Sequence, residues 1–131
     1  GTAGTLMGVA KAFKNANSNS KIIAVEPSSS PILSEGIKGS HNVEGVGLGF
    51  IPKIYDSKLV DDVITIEESI ARQTSRDLAL KEGIFCGTSS GMNVAAAIQI
   101  SQKLGPKSRV VSIACDTGLK YLSEGLFDKK N

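Results

Sequence analysis

Residues 63–91 of this 131-residue chain read VITIEESIARQTSRDLALKEGIFCGTSSG. The short apolar run at 63–66 predicts a buried strand, and the helical spacing at 67–80 predicts a long helix. Its acidic start suits the positive end of the helix dipole, and Gly83 predicts its end. The apolar run at 84–86 predicts another short strand. This order of strand, helix and strand is typical of a parallel sheet covered by helices.

The same alternation continues on both sides of this stretch. Helical spacing predicts helices at about 5–15 and 94–104, and one helical turn around 31–35. Continuous apolar runs predict strands at 22–25 and 109–114. We therefore expect an α/β fold in which a three-layer, open and mostly parallel sheet is flanked by helices.

The composition indicates one globular domain and excludes several classes of protein. Fifteen Lys and Arg against 13 Asp and Glu give a net charge of +2, which is too balanced for a nucleic-acid partner. No apolar run could span a membrane, and no secretory signal is visible. Cys86 and Cys115 lack a CxxC spacing, so we expect no disulfide scaffold, no metal site and a cytoplasmic location. The only histidine, His41, is interpreted as a solvated loop residue.

The 14 glycines concentrate in three clusters, and the first precedes the first predicted helix. It reads Gly1-Thr2-Ala3-Gly4-Thr5. Small residues and hydroxyls ahead of a helix N-terminus suit a phosphate or a carboxylate. The cluster lacks the Gly-Lys-Ser/Thr ending of a nucleotide-hydrolysing loop and the spacing of a dinucleotide fingerprint. A simple tight turn into the helix is the alternative interpretation.

The other two clusters also allow two interpretations each. Gly45, Gly47 and Gly49 alternate with apolar residues and would leave one side of an extended segment open to a flat ligand, or form a flexible loop. The cluster 87–91 would cap the following helix through Ser89 or a neighbouring serine. Its Gly-x-Ser-x-Gly pattern is also that of a nucleophile elbow, but no histidine follows it, which excludes a serine hydrolase.

Five segments, in order, resemble the cysteine synthase (O-acetylserine sulfhydrylase) and cystathionine β-synthase family, whose members are fold type II pyridoxal-phosphate enzymes. The resemblance covers the whole chain. The segments are GTAGTLMG at 1–8, VEP at 25–27, VEGVGLGFIP at 43–52, GTSSG at 87–91 and DTGLKYLS at 116–123.

This resemblance implies roles for particular residues. The loop Gly1, Thr2, Ala3, Gly4 and Thr5 would bind the 5′-phosphate of pyridoxal phosphate, with Ala3 standing where the family usually has glycine. Ser89 would hydrogen-bond the pyridine nitrogen. The ring would then be a weaker electron sink than it is beside a carboxylate partner. Gly45 would lie beside the cofactor and the amino-acid substrate. Cys115 would border the ring or be a buried structural cysteine.

The family also has parts that this sequence does not match. Members hold the cofactor on a Schiff-base lysine in their N-terminal half, and none of the twelve lysines here stands in that context. We therefore expect residues 1–131 to be a partial C-terminal pyridoxal-phosphate domain, a fragment without catalytic residues that is inactive alone.

The resemblance implies that the complete enzyme makes L-cysteine from O-acetylserine, or a related activated serine, and sulfide by β-replacement. It would be a homodimer and could bind serine acetyltransferase. The alternatives are a part of a cystathionine β-synthase or of a serine/threonine dehydratase. A further alternative, from a different class, is a non-catalytic anion-binding α/β module.

Overall fold

A computed structural model describes residues 1–128. It divides the chain into two compact units. The first unit consists of Gly1–His41 and Gly45–Thr65, and the second of Asn42–Glu44 and the chain from Ile66 onward. Among the described residues, no helix is both long and apolar enough to cross a membrane.

The first unit is built on a helix and a pair of strands. Helix α1 spans Gly4–Asn15, strand β1 Ile23–Pro27 and strand β2 Asp62–Ile66, which ends at the boundary of the unit. The strands pair in one parallel sheet. Their starts lie together, because the N–H of Asp61 donates to the carbonyl of Ile22 at 2.8 Å.

The loop between the two strands contains a short helix held by a buried carboxylate. Helix α2 spans Ile32–Glu35, and Glu26 of β1 is only 5% exposed. The Glu26 carboxylate accepts hydrogen bonds from the N–H groups of Leu33 and Ser34, at 2.8 and 2.9 Å. These bonds satisfy backbone donors at the start of α2 that have no partner within the helix. A 3₁₀ turn at Ser57–Leu59 leads into β2.

The second unit is organised around two packed helices. Helix α3 spans Glu68–Asp77 and helix α4 spans Thr88–Leu104, and the two pack against each other. Gly91 of α4 makes this possible, because a Cβ there would collide with the carbonyl of Ala71 and the side chain of Ser75. The Ser75 hydroxyl also donates to the Gly87 carbonyl at 2.9 Å. A 3₁₀ helix at Gly118–Glu124 follows.

Helix α3 continues into one π-helical turn at Leu78–Glu82. The segment ends at Gly83, which has a φ of 68° in the left-handed region. The predicted end at this glycine is therefore confirmed, although the last turn is wider than the α-helix that the sequence predicted.

The α/β class and the parallel sheet are confirmed, but two predicted strands are wrong. Within 84–86 only Cys86 makes a single antiparallel bridge, to Thr117. Residues 109–114 form no strand, and Val111 is 79% exposed. An apolar run becomes a strand only when a neighbouring strand takes up its backbone hydrogen bonds, and the described residues provide none for 109–114.

The helices agree more closely with the sequence. Helix α1 and the turn α2 lie where predicted, and α4 ends at Leu104 as expected. However, α4 begins at Thr88 rather than at Val94. The small residues 88–91 were predicted to be a turn, but they are buried and allow a close helix contact with α3.

Candidate functional site

The turn into helix α1 leaves backbone donors open to a ligand. Ala3 precedes the helix with φ 65° and ψ 9°, in the left-handed region, and no side chain caps the helix. Met7 donates its N–H to the Ala3 carbonyl at 2.9 Å. No hydrogen bond among the described residues uses the N–H groups of Gly4, Thr5 and Leu6.

Three N–H groups that no described residue accepts from, at the start of a 12-residue helix, suit an anion, because the helix dipole adds partial positive charge there. The strain at Ala3 supports this interpretation. A non-glycine residue in the left-handed region costs about 1 kcal/mol or more, and such costs concentrate at functional sites.

Gly1 and Gly45, both predicted to be site residues, lie together in the first unit. A Cβ on Gly1 would lie 2.5 Å from the Gly45 carbonyl oxygen. Only glycine therefore permits this approach of the two backbones. The structure thus brings these two residues together, and their roles in phosphate and substrate binding stay predictions.

The loop around Gly45, Gly47 and Gly49 is bent, so the first of its two sequence interpretations, an extended segment, is wrong. All three glycines have positive φ, at 79°, 58° and 78°. The glycines are needed because L side chains rarely adopt these angles, and not because a flat face must stay clear.

His41 is also not a solvated loop residue, because its Nε2 lies 3.0 Å from the Gly47 carbonyl oxygen and its ring is partly buried.

Ser89 lies in the first turn of α4, in the second unit, and is 6% exposed. Its hydroxyl takes part in no hydrogen bond among the described residues, and it does not cap the helix. The next residue behaves differently, since Ser90 Oγ accepts from the N–H of Cys115 at 2.8 Å. A hydroxyl that has no partner among the described residues is available to a ligand, and a single ring nitrogen would suit it.

A carboxylate beside Gly87, which stands two residues before this serine, was given no role from the sequence. The N–H of Gly87 donates to the Asp116 carbonyl at 3.2 Å, and a Cβ on Gly87 would collide with the Asp116 side chain. Asp116 Oδ2 accepts from Tyr121 Oη at 2.7 Å and from Lys120 Nζ at 3.2 Å, while Oδ1 is buried without a partner. Burial and the carboxylate of Asp116 raise the pKa of Tyr121 well above its usual range.

Glu44 completes this cluster of charges in the second unit. Its carboxylate lies 3.6 Å from Lys120 Nζ. The hydrogen bond to Asp116 and the charge of Glu44 raise the pKa of Lys120. The sequence carried a signal for the cluster, because Asp116, Lys120 and Tyr121 all lie in the segment DTGLKYLS on which the resemblance depends.

The two cysteines have different surroundings. Cys115 is exposed, so its interpretation as a buried structural cysteine is wrong. Its thiol lies 3.4 Å from Asn93 Nδ2. Cys86 is buried, and this burial raises the pKa of its thiol.

Comparison with known proteins shows that the sequence of this chain is similar to those of pyridoxal-phosphate dependent enzymes. The family model described as "Pyridoxal-phosphate dependent enzyme" matches residues 1–116. A cysteine synthase of Staphylococcus aureus is 42% identical over 127 residues, which are 97% of this chain and 41% of that protein. An O-ureido-L-serine synthase of Streptomyces lavendulae is 39% identical over 128 residues, 98% of this chain and 40% of that protein.

The solved structures agree with the sequence comparison. A cysteine synthase of Entamoeba histolytica superposes with a TM-score of 0.92 at 38% identity, over 100% of this chain and 39% of that one. This chain thus spans about two fifths of the length of the curated relatives that it matches.

Proposed function

This chain belongs to the family of pyridoxal-phosphate dependent enzymes, and on that basis we propose that it carries cofactor-binding groups of a β-replacement enzyme of the cysteine synthase type. Residues 1–5 bind the cofactor's phosphate, and Ser89 hydrogen-bonds its pyridine nitrogen. Gly45 contacts the amino-acid substrate. The whole enzyme exchanges the leaving group of an activated serine for sulfide, which gives L-cysteine.

The observation that carries the proposal is the open start of helix α1. The N–H groups of Gly4, Thr5 and Leu6 have no acceptor in the described chain, and the left-handed Ala3 directs the backbone into the helix. A phosphate dianion can accept from all three donors at once, and the helix dipole stabilises its charge.

The neutral hydroxyl of Ser89 suits the type of reaction. When bound, pyridoxal phosphate supplies an electron sink that stabilises negative charge on the substrate Cα. Ser89 can donate to or accept from the ring nitrogen, but it cannot hold that nitrogen protonated as a carboxylate would. Replacement at Cβ needs less of this stabilisation than transamination, because the leaving group departs early.

The substrate class is proposed from the relatives. One relative is named an O-ureido-L-serine synthase, and a solved relative from Helicobacter pylori is described as an O-acetylserine dependent cystathionine β-synthase. These names share a serine that is substituted on its side-chain oxygen. We propose the same class for this chain, with O-acetylserine as its first member. A homodimer, a complex with serine acetyltransferase and a cytoplasmic location stay predictions from the sequence.

A negative charge introduced at Thr5 tests the phosphate site. We expect inorganic phosphate to shift the amide resonances of Gly4, Thr5 and Leu6 in a nitrogen–proton correlation spectrum. Thr5→Asp places a carboxylate in the first turn, which stabilises the unliganded helix by roughly 0.5 kcal/mol. Because this carboxylate repels phosphate, the affinity for phosphate should fall by about tenfold or more. Thr5→Asn is the neutral control, and it should bind phosphate more tightly than Thr5→Asp because it adds no charge.

Two results would contradict the phosphate site. One is a set of unmoved amides at the start of α1 in wild type, and the other is equal phosphate affinity of Thr5→Asp and Thr5→Asn. Because the Asp variant keeps its fold, lost binding cannot be attributed to unfolding, and the melting temperature checks this directly.

The predicted lack of a Schiff-base lysine has its own test. The chain is incubated with pyridoxal phosphate, reduced with borohydride and digested for mass spectrometry. We expect no specific site among the twelve lysines. Stoichiometric labelling of one lysine would show that this interpretation of the lysines is wrong.

A further inference from the structure

His41 has a defined relationship to the glycine loop. Its Nε2 lies 3.0 Å from the carbonyl oxygen of Gly47. A carbonyl oxygen can only accept, so Nε2 must carry a hydrogen atom in this contact. The bond therefore requires either the neutral tautomer with hydrogen on Nε2 or the doubly protonated ring.

The histidine ring also occupies the space beside the Gly47 backbone. A Cβ on Gly47 would collide with Nε2 and lie 2.9 Å from Cε1 of His41. Gly47 has a φ of 58°, so both its backbone angle and the ring beside it require glycine. One imidazole thus fixes this residue twice, by a hydrogen bond and by contact.

The same loop reaches the start of the proposed phosphate site. Gly45, two residues before Gly47, brings its carbonyl oxygen to within 2.5 Å of where a Cβ of Gly1 would be. Gly1, Gly45, Gly47 and His41 all lie in the first compact unit. A shift of the loop at Gly47 would therefore be passed to Gly1, which has no free space on that side.

We propose that His41 is a positioning residue that holds the loop 45–49 and, through Gly45, the anion-binding turn at residues 1–5. His41 does not touch the anion. It acts through the backbone, and it keeps the turn in the conformation that presents the N–H groups of α1. The effect of His41 on anion binding rests on the proposed function, whereas its effect on the conformation of the loop 45–49 does not.

A pair of amide substitutions tests which nitrogen of His41 matters. In His41→Gln the side-chain nitrogen is as many bonds from Cα as Nε2 and can donate to Gly47. In His41→Asn it is one bond nearer, at the position of Nδ1, and cannot reach. His41→Ala removes the ring entirely. Lys38→Ala is the matched control, since Lys38 packs on Gly49 in the same loop through its Cε, 2.8 Å from where a Cβ would be.

Two readouts are taken on the full chain. The first is the order of the backbone amides of 45–49 from nitrogen-15 relaxation, and the second is the affinity for inorganic phosphate from the amide shifts of Gly4, Thr5 and Leu6. In wild type we expect the nitrogen-15 signature of a ring with hydrogen on Nε2. His41→Ala and His41→Asn should lower the loop order and weaken phosphate binding by roughly fivefold, about one hydrogen bond's worth. His41→Gln and Lys38→Ala should stay close to wild type.

The outcomes separate this inference from the proposed function. If wild type fails to bind phosphate, the phosphate site is wrong, and the loop order in the same variants still decides the role of His41. Unchanged loop order in His41→Ala overturns that role. So does a ring in wild type that carries its hydrogen on Nδ1 alone, a Gln variant that behaves like the Ala variant, or an equal loss of order in Lys38→Ala.

Discussion

Tyr121 donates its hydroxyl to Asp116 Oδ2 at 2.7 Å, while Oδ1 of the same carboxylate is buried with no partner among residues 1–128. Tyr121 is only 2% exposed, whereas the side chain of Asp116 is 24% exposed, so this bond is partly buried. Asp116 is therefore held on one side and unsatisfied on the other. A buried acceptor without a partner is costly, and Asp116 lies against Gly87, the residue two positions before Ser89 in the chain.

Tyr121→Phe should destabilise the chain by about 2 kcal/mol, because it removes a donor from a charged acceptor that is already short of one. The free energy of unfolding from urea titration measures this. Tyr55→Phe is the control, since no hydrogen bond is found for the Tyr55 hydroxyl, and it should cost less than about 0.5 kcal/mol. Equal losses in the two variants would show that the bond to Asp116 contributes little.

Ser89→Ala and Ser90→Ala should change the free energy of unfolding by different amounts, although the two serines are neighbours in α4. The hydroxyl of Ser89 has no partner in the described part of the chain, so its removal should change the free energy of unfolding by less than about 0.5 kcal/mol. Removal of the Ser90 hydroxyl leaves the Cys115 N–H without its acceptor and should cost about 1–2 kcal/mol. Urea titration of both variants checks the contrast, and a large loss in Ser89→Ala would contradict the interpretation of its hydroxyl as reserved for a ligand.

Ala3→Gly should stabilise the chain by about 1 kcal/mol, because glycine adopts a φ of 65° without steric cost. Ala12→Gly makes the same change inside α1 and should destabilise by about 1 kcal/mol. The pair therefore separates a local backbone effect from a general effect of glycine. Thermal unfolding of both variants provides the measurement, and a loss of stability in Ala3→Gly would mean that the left-handed turn is not strained.

Stability should fall as the pH becomes alkaline, and Cys86 should contribute first. Burial raises the pKa of this thiol in the folded chain, so above about pH 8.5 the unfolded chain loses the proton while the folded chain keeps it. The contribution is complete below that pH and is lost above it, by at most about 1.4 kcal/mol per pH unit. The raised pKa of Tyr121 adds a loss with the same sign above about pH 10.

Urea titrations at pH 7.5 and 9.5 under reducing conditions measure this loss. Cys86→Ala should flatten the decrease between the two pH values. Cys115→Ala, which changes an exposed thiol, should leave it in place. An unchanged decrease in Cys86→Ala would assign the alkaline loss to other groups.

The sequence predicted well those features that depend on neighbouring residues. Helical spacing and the stop at Gly83 identified the helices, and the small residues before α1 identified a turn with room for an anion. It predicted poorly the features that depend on distant partners. Whether 109–114 becomes a strand depends on another strand beside it, and no local pattern reports that partner.

The candidate site shows the same division. Gly1 and Gly45 were predicted from local composition and a resemblance, and their contact agrees with both. The partner of His41 was missed, because a ring that binds a carbonyl six residues away leaves no mark on its immediate neighbours. Asp116 was missed for a similar reason, since its unsatisfied oxygen is visible only once Gly87 and Tyr121 lie beside it.

The exposed run at 109–114 also affects how the protein should behave in concentrated solution. Its β-branched residues, Val111 and Ile113 among them, present apolar side chains next to backbone groups that no strand in the described chain takes up. An exposed apolar segment of this kind can pair with the same segment of a second copy, and it has no proline to prevent this. We therefore expect the protein to associate through residues 109–114 under conditions in which it is still folded. A charged side chain at position 111 should raise the protein concentration at which this association begins.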